Sequence, residues 1–143
     1  MISNDKLYDY LTKFGIGSKT GSGLPGESRG ILPKVADWSG TTAPTVAFGQ
    51  GYSVTAMQAT SVFATIANDG VRVSPTVIAG TSDSSGNYTP SATRESVRVI
   101  SAETAAQMRL MMESVVSANG TAPSAAIPGY RVAGKTGTAQ RID

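Results

Sequence analysis

A lysine, a threonine and a glycine stand together near the end of the sequence, at Lys135, Thr136 and Gly137. A lysine amine supplies a compact positive charge, and a neighbouring hydroxyl can hold a carboxylate beside it. Glycine removes the side chain that would keep a ligand away from the backbone. Small and β-branched residues precede the triplet, so we expect a strand from Tyr130 to Gln140. The pattern indicates a strand edge that binds an extended peptide together with its terminal carboxylate.

The sequence contains neither cysteine nor histidine. Disulfides, thiolate nucleophiles, a Ser-His-Asp triad and the usual zinc ligand sets are therefore excluded within this chain. Any acyl-transfer chemistry would have to use lysine as its proton carrier. We expect no metal and no cofactor.

Composition describes an ordinary globular chain of one-domain size. Its 143 residues are 40% hydrophobic and 15% charged, and twelve basic and ten acidic residues give a net charge of +2. The charges are scattered, which predicts no nucleic-acid partner and no polybasic membrane segment. No apolar run approaches the ~20 residues of a membrane span, so we expect no membrane segment in this chain.

The elements that must position the triplet follow from periodicity and caps. Leu7, Leu11 and Phe14 share one face of a predicted first helix. Thr55 with Gln58 predicts a capping box at the start of a helix that we expect to be buried nearly all round. The order is typical of a mixed α/β (α+β) layer fold. The predicted helices cover 4–14, 55–67 and 101–118, the predicted strands 71–78 and 130–140, and an exposed serine-rich hairpin or loop 80–94.

Three short patterns compete with these interpretations. Gly129 to Thr136 satisfies the phosphate-loop pattern GxxxxGK[ST], but its cradle is strand-like and few residues follow it. Gly21 to Gly26 matches GxGxxG, but Pro25 lies inside it, which favours a turn cluster. Ser3 to Lys6 matches S-x-x-K, for which we prefer a helix cap followed by a solvated lysine.

Three segments in this order resemble a class B penicillin-binding protein, a serine transpeptidase of bacterial cell-wall synthesis. They are LPGES at Leu24 to Ser28, AFGQGYSVTAMQATSVFATIANDG at Ala47 to Gly70, and VAGKTGTAQ at Val132 to Gln140. The resemblance implies a penicillin-recognising, β-lactamase-like fold, of which this chain would hold part of the helical lobe and the Lys-Thr-Gly strand of the sheet.

The resemblance also implies three motifs in one cleft: S-x-x-K with the nucleophile, S-x-N, and the Lys-Thr-Gly triplet. Only the third maps onto this chain, because Ser3 to Lys6 lies too close to the LYDYLTKFGIG segment at Leu7 to Gly17. We therefore expect residues 1–143 to be a partial transpeptidase domain, truncated at both ends and without a nucleophile. The isolated chain should be inactive.

The residue roles implied by the resemblance are those of peptidoglycan D,D-transpeptidation, an acyl transfer. Lys135 supplies positive potential and helps proton transfer, Thr136 binds the terminal carboxylate, and Gly137 permits close approach. The backbone N–H of Thr138 forms half of the oxyanion hole and so contributes to both catalysis and substrate binding. The implied ligands of the parent protein are peptidoglycan stem peptides and β-lactams, at the extracytoplasmic face of the bacterial cell membrane.

Two alternatives remain open at this point. One is a non-catalytic half-domain that complements a partner chain or cell-wall synthesis complex, or binds peptidoglycan peptides through its strand edge. The other is nucleotide binding at the phosphate-loop match.

Overall fold

Three α-helices, four short strands and a fourth α-helix follow one another in a computed structural model that describes residues 2–92 and 94–137. The fold is the predicted mixture of helix and sheet. The helices are α1 (Asn4–Lys13), α2 (Thr42–Ala47), α3 (Ala56–Ala67) and α4 (Ala102–Ser114), and the strands are β1 (Val71–Val73), β2 (Gly80–Ser82), β3 (Tyr88–Pro90) and β4 (Ser96–Arg98).

The strands form two antiparallel pairs. β1 pairs with β4, placing Val71 opposite Arg98, and β2 pairs with β3 in the predicted serine-rich hairpin. β1 is shorter than the predicted strand over 71–78. Pro75 lacks the N–H that a continuing ladder needs, so the strand ends before it.

The first helix begins and ends as predicted, within one residue. Ser3 caps α1, because its Oγ accepts a hydrogen bond from the Lys6 N–H at 3.3 Å. The S-x-x-K match at Ser3 is therefore a helix cap, as we preferred. Gly15, with a φ of +92°, follows the helix end, and this left-handed geometry favours glycine.

The last helix is shorter than predicted. α4 ends at Ser114 instead of continuing to residue 118. Val115 and Val116 are β-branched and have low helix propensity. The chain then turns back, and the Ala122 N–H donates to the carbonyl of Val115 at 2.9 Å.

The core lies where α3 contacts β1 and α4. The expectation that α3 is buried nearly all round is wrong, since Phe63 is 45% exposed and its buried residues are Gln58, Thr65 and Ile66. Within the described chain, no segment packs closely enough to cover the Phe63 side chain of α3. The methionines of α4 divide likewise, with Met112 buried and Met111 57% exposed. The buried apolar residues are Ile16, Val46, Ile66, Val99, Ala105, Met112 and Val116.

The predicted Lys-Thr-Gly strand is not formed in the described residues. Residues 131–137 belong to neither helix nor strand, and residues 138–140 lie outside the described part of the chain. A strand is defined by its ladder, and no described segment forms one with 131–137. Instead the Gly134 N–H donates to the Met112 carbonyl of α4 at 3.1 Å.

Candidate active site

The Lys-Thr-Gly triplet forms one side of a groove of about 650 Å³. Lys135, Thr136 and Gly137 line it from the C-terminal segment. Facing them are Val46, Ala47, Phe48, Gly49 and Tyr52 from α2 and the loop that follows it, and Phe63 from α3. Two of the three segments that carried the family resemblance, distant in sequence, therefore meet in one groove.

Lys135 lines the groove and forms no ion pair with a described carboxylate. Its Nζ donates to the Thr136 carbonyl at 2.9 Å and lies 3.4 Å from the Thr136 Oγ1. Among residues 2–92 and 94–137, the ion pairs join Lys13 to Asp9, Arg109 to Asp69 and Arg131 to Glu113, and none involves this lysine. An anionic ligand in the groove would therefore meet a positive charge that no described side chain neutralises.

Nothing in the described part of the chain requires glycine at position 137. A Cβ built on Gly137 meets no atom within 4 Å, and its φ is not among the left-handed ones. The space beside it is open to the groove, as expected for a residue that lets a ligand approach the backbone. Thr138, to which we assigned an oxyanion-hole N–H, lies outside the described residues.

The wall opposite the triplet is apolar and was given no role from the sequence. Phe48 is 63% exposed and Phe63 45% exposed, while Tyr52 is half-buried. Exposed aromatic side chains beside a cationic group suit a ligand with an apolar body and an anionic end. The signal for this wall was the aromatic and glycine-rich run from Phe48 to Tyr52.

The loop between α2 and α3, residues 48–55, is here called the groove loop. Hydrogen bonds join it to the turn-rich segment between α1 and α2. Ile31 and Ser53 exchange two backbone hydrogen bonds, of 2.9 and 2.8 Å. Nearby, the buried Gln58 donates through Nε2 to the carbonyls of Ser18 and Arg29, both at 2.8 Å. These contacts fix the start of α3 and, with it, the loop that faces the triplet.

The LPGES segment organises a turn away from the groove. The Glu27 carboxylate accepts hydrogen bonds from the Ser22 hydroxyl, from the N–H groups of Ser22 (2.6 Å) and Gly21 (3.0 Å), and from the Thr20 Oγ1 (3.1 Å). These donors, the Ser22 hydroxyl first, lower the pKa of Glu27 to about 2. The LPGES segment is thus part of a structural turn. Lys19, Thr20 and Gly21, which repeat the residue types of the Lys-Thr-Gly triplet, lie in the same loop.

The described residues contain neither a cluster that could hold a metal ion nor a helix that could span a membrane. No group of three or more acidic side chains is placed to hold a metal ion. None of the described helices has the length and apolar character to cross a membrane.

The class of protein follows from a comparison with family models. The model of the penicillin binding protein transpeptidase domain matches residues 1–143. The chain therefore belongs to this family, and the resemblance carried by its three segments is confirmed.

Named relatives agree with this assignment. The chain is 45% identical over 148 residues to penicillin-binding protein PbpB of Mycobacterium tuberculosis, an alignment that covers 99% of this chain and 22% of PbpB. It is 37% identical over 143 residues to the peptidoglycan D,D-transpeptidase FtsI of Escherichia coli K12, covering 95% of this chain and 21% of FtsI. The chain thus spans about a fifth of the length of these relatives.

Solved structures show the same fold. The crystal structure of penicillin binding protein 3 from Mycobacterium tuberculosis, complexed with ampicillin, matches with a TM-score of 0.95 at 45% identity. The match covers 99% of this chain and 33% of that one. The transpeptidase domain of penicillin-binding protein 3 from Burkholderia pseudomallei matches with a TM-score of 0.85 at 33% identity, covering 99% of this chain and 40% of that one.

Proposed function

We propose that this chain supplies the Lys-Thr-Gly wall of the acyl-transfer cleft in a peptidoglycan D,D-transpeptidase. The observation that carries the proposal is the groove in which Lys135 and Thr136 face an apolar wall, with no described carboxylate paired to the lysine. The 37% identity to FtsI, which is named a peptidoglycan D,D-transpeptidase, supports the proposal. In this proposal residues 1–143 are one part of a transpeptidase domain.

The proposed reaction transfers an acyl group from a stem peptide. A serine from an S-x-x-K segment outside this chain attacks the penultimate D-Ala carbonyl, and the terminal D-Ala leaves with a proton. Thr136 holds the terminal carboxylate, and Lys135 supplies positive potential and helps move the proton. An amine of a neighbouring stem then attacks the acyl-enzyme, which releases the serine and forms the cross-link.

β-Lactams are proposed to acylate the same serine. A penicillin such as ampicillin carries a carboxylate on the carbon attached to the nitrogen of its reactive lactam, so the groove would hold it through Thr136 and Lys135 as it holds the stem peptide. The structure of the 45% identical relative with ampicillin supports this proposal. We place the parent protein at the extracytoplasmic face of the bacterial membrane, where a cell-wall enzyme meets its substrate.

A graft into a relative tests this function. The aligned segment of Mycobacterium tuberculosis PbpB is replaced by this chain, and the resulting protein, here called the graft, is exposed to a fluorescent penicillin. We expect stoichiometric covalent labelling, slowed on the order of 10²-fold by Lys135→Ala or Thr136→Ala. Lys6→Ala removes an exposed lysine far from the triplet in sequence and is the matched control.

Two outcomes would contradict the proposal. A folded graft that takes no label would show that this chain does not complete the cleft. A covalent band on the 143-residue chain by itself would show that it holds its own nucleophile, with Ser3 the first candidate. Loss of a serine nucleophile costs on the order of 10⁶-fold in rate, so the chain alone should stay unlabelled.

A second candidate is a non-catalytic half-domain that complements a partner chain. Exposed apolar side chains on two packed helices favour it, namely Phe63 on α3 and Leu110 and Met111 on α4. Co-purification with a chain that carries S-x-x-K and S-x-N would support complementation. A monodisperse monomer that unfolds cooperatively would count against it.

A further inference from the structure

The segment that carries the triplet is joined to the end of α4 at two points. The Arg131 guanidinium donates to the Glu113 carboxylate, from Nη2 at 2.8 and 3.0 Å and from Nε at 3.3 Å. The Gly134 N–H donates to the Met112 carbonyl at 3.1 Å. Consecutive residues of α4 therefore hold positions 131 and 134, and Lys135 follows directly.

These two contacts attach the segment to α4 within the described chain. Residues 131–137 belong to no strand, and their hydrogen bonds to other described segments are the ones made by Arg131 and Gly134. One contact would leave the segment free to pivot about it. Two contacts, three residues apart, fix both the position and the direction of the chain that leads to Lys135.

We propose that Glu113 is a positioning residue that acts through Arg131 to place Lys135 and Thr136 in the groove. The inference rests on the proposed function of the triplet. A guanidinium meets a carboxylate in a planar, multiply hydrogen-bonded fork, so the pair sets an orientation as well as a distance. Lysine at 131 would keep the charge and lose this geometry.

The pair is suited to positioning and unsuited to stabilising the fold. Arg131 is 76% exposed and Glu113 30% exposed at the side chain, and exposed ion pairs contribute little to stability. Its removal should displace the triplet while the protein stays folded. A misplacement of about 1 Å can cost on the order of 10²-fold in rate, so a partial displacement should be visible in acylation.

The first test measures how firmly the segment that carries the triplet is attached, without measuring activity. Amide hydrogen exchange is measured at Gly134 in the 143-residue chain, where Glu113→Gln should raise the exchange rate by about 10-fold as the two-point attachment loosens. Asp9→Asn, which breaks the exposed Lys13–Asp9 pair of 2.7 Å, is the matched control and should leave Gly134 unchanged. Melting temperatures should stay the same in both variants. An unchanged Gly134 rate in Glu113→Gln would overturn the proposal.

The second test reads acylation in the graft. Glu113→Gln and Arg131→Lys should each slow labelling by the fluorescent penicillin by about 10-fold. The exchanged pair, Glu113→Arg with Arg131→Glu, should restore the rate to within about 3-fold of the unmodified graft. Single variants as fast as the unmodified graft would overturn positioning. An unlabelled, unmodified graft would instead contradict the proposed function, and the Gly134 exchange would still decide the role of Glu113.

Discussion

Thr55 and Gln58 cap the first turn of α3 reciprocally. The Thr55 N–H donates to the Gln58 Oε1 at 2.8 Å, and the Gln58 N–H donates to the Thr55 Oγ1 at 3.1 Å. The same Gln58 side chain, 1% exposed, donates through Nε2 to the carbonyls of Ser18 and Arg29. One buried amide therefore joins the start of α3 to the turn-rich segment that precedes the groove loop.

Gln58→Leu should destabilise the chain. Leucine fills similar space but leaves the Thr55 N–H and the carbonyls of Ser18 and Arg29 without this partner, and a buried unpaired group costs about 1–3 kcal/mol. We expect the free energy of unfolding to fall by about 2–5 kcal/mol, measured by urea denaturation. Gln107→Leu, at an exposed position of α4, is the matched control and should change it by about 0.5 kcal/mol or less. Equal midpoints for the two variants would contradict this account of Gln58.

Gly30→Ala should be destabilising for a steric reason in the same region. A Cβ at Gly30 would collide with the Ser53 carbonyl oxygen and lie 3.0 Å from the Gln58 Oε1, and the φ of Gly30 is +68°. Gly23 also has a positive φ, of +87°, but nothing lies within 4 Å of an added Cβ. Gly23→Ala should therefore cost only the conformational term of about 1–2 kcal/mol, and Gly30→Ala clearly more. Thermal melts of the two variants distinguish the backbone strain that both share from the collision that only Gly30→Ala introduces. Similar decreases in melting temperature would refute the steric account.

The sequence predicted local structure best where a single residue pair decides it. The capping box of Thr55 and Gln58 and the cap at Ser3 are present, because such signals depend on the next turn alone. The predicted burial of α3 was wrong because burial depends on what packs against a helix. The strand predicted over 130–140 is absent from residues 131–137, since a strand needs a neighbour that the local pattern does not specify, and residues 138–140 lie outside the described part of the chain.

The sequence pointed to one side of the candidate groove, and the roles assigned to its residues stay predictions. Lys135, Thr136 and Gly137 carry their chemistry in their residue types, and the structure brings them together on one side of the groove. The opposing wall at Phe48 and Phe63 was not predicted, because residues that meet only in the folded chain have no characteristic separation in the sequence. The contact between Glu113 and Arg131 was missed for the same reason.

Glu27 should make stability depend on acidic pH. Its folded pKa of about 2 lies below the ordinary value of 4.5, because the Ser22 hydroxyl and nearby N–H groups stabilise the charged form. The resulting stabilisation is present above pH 4.5 and is lost as the pH falls toward 2. Urea midpoints of wild type and Glu27→Gln should therefore differ at pH 7 and converge as the pH approaches 2.

A direct titration of Glu27 and a control variant complete the pH experiment. The carboxyl carbon of Glu27, followed by NMR, should titrate near pH 2. Glu95→Gln removes one charge from an exposed side chain and should leave the acid dependence of wild type in place. A Glu27 signal that titrates near 4.5 would show that the Ser22 and Gly21 contacts do not hold the carboxylate in solution.

Gly137→Val should impair ligand binding and spare the fold. The added side chain enters open space, since no atom lies within 4 Å of a Cβ at this position, and valine favours extended backbone. In the graft the same side chain would occupy the approach to Thr136 and Lys135, so labelling by a fluorescent penicillin should slow on the order of 10²-fold. Gly40→Val, at an exposed position where an added Cβ also meets no described atom within 4 Å, is the control and should label at nearly the normal rate. An equal melting temperature with a slower rate in Gly137→Val alone would assign this glycine to the ligand, whereas unimpaired labelling would remove it from the site.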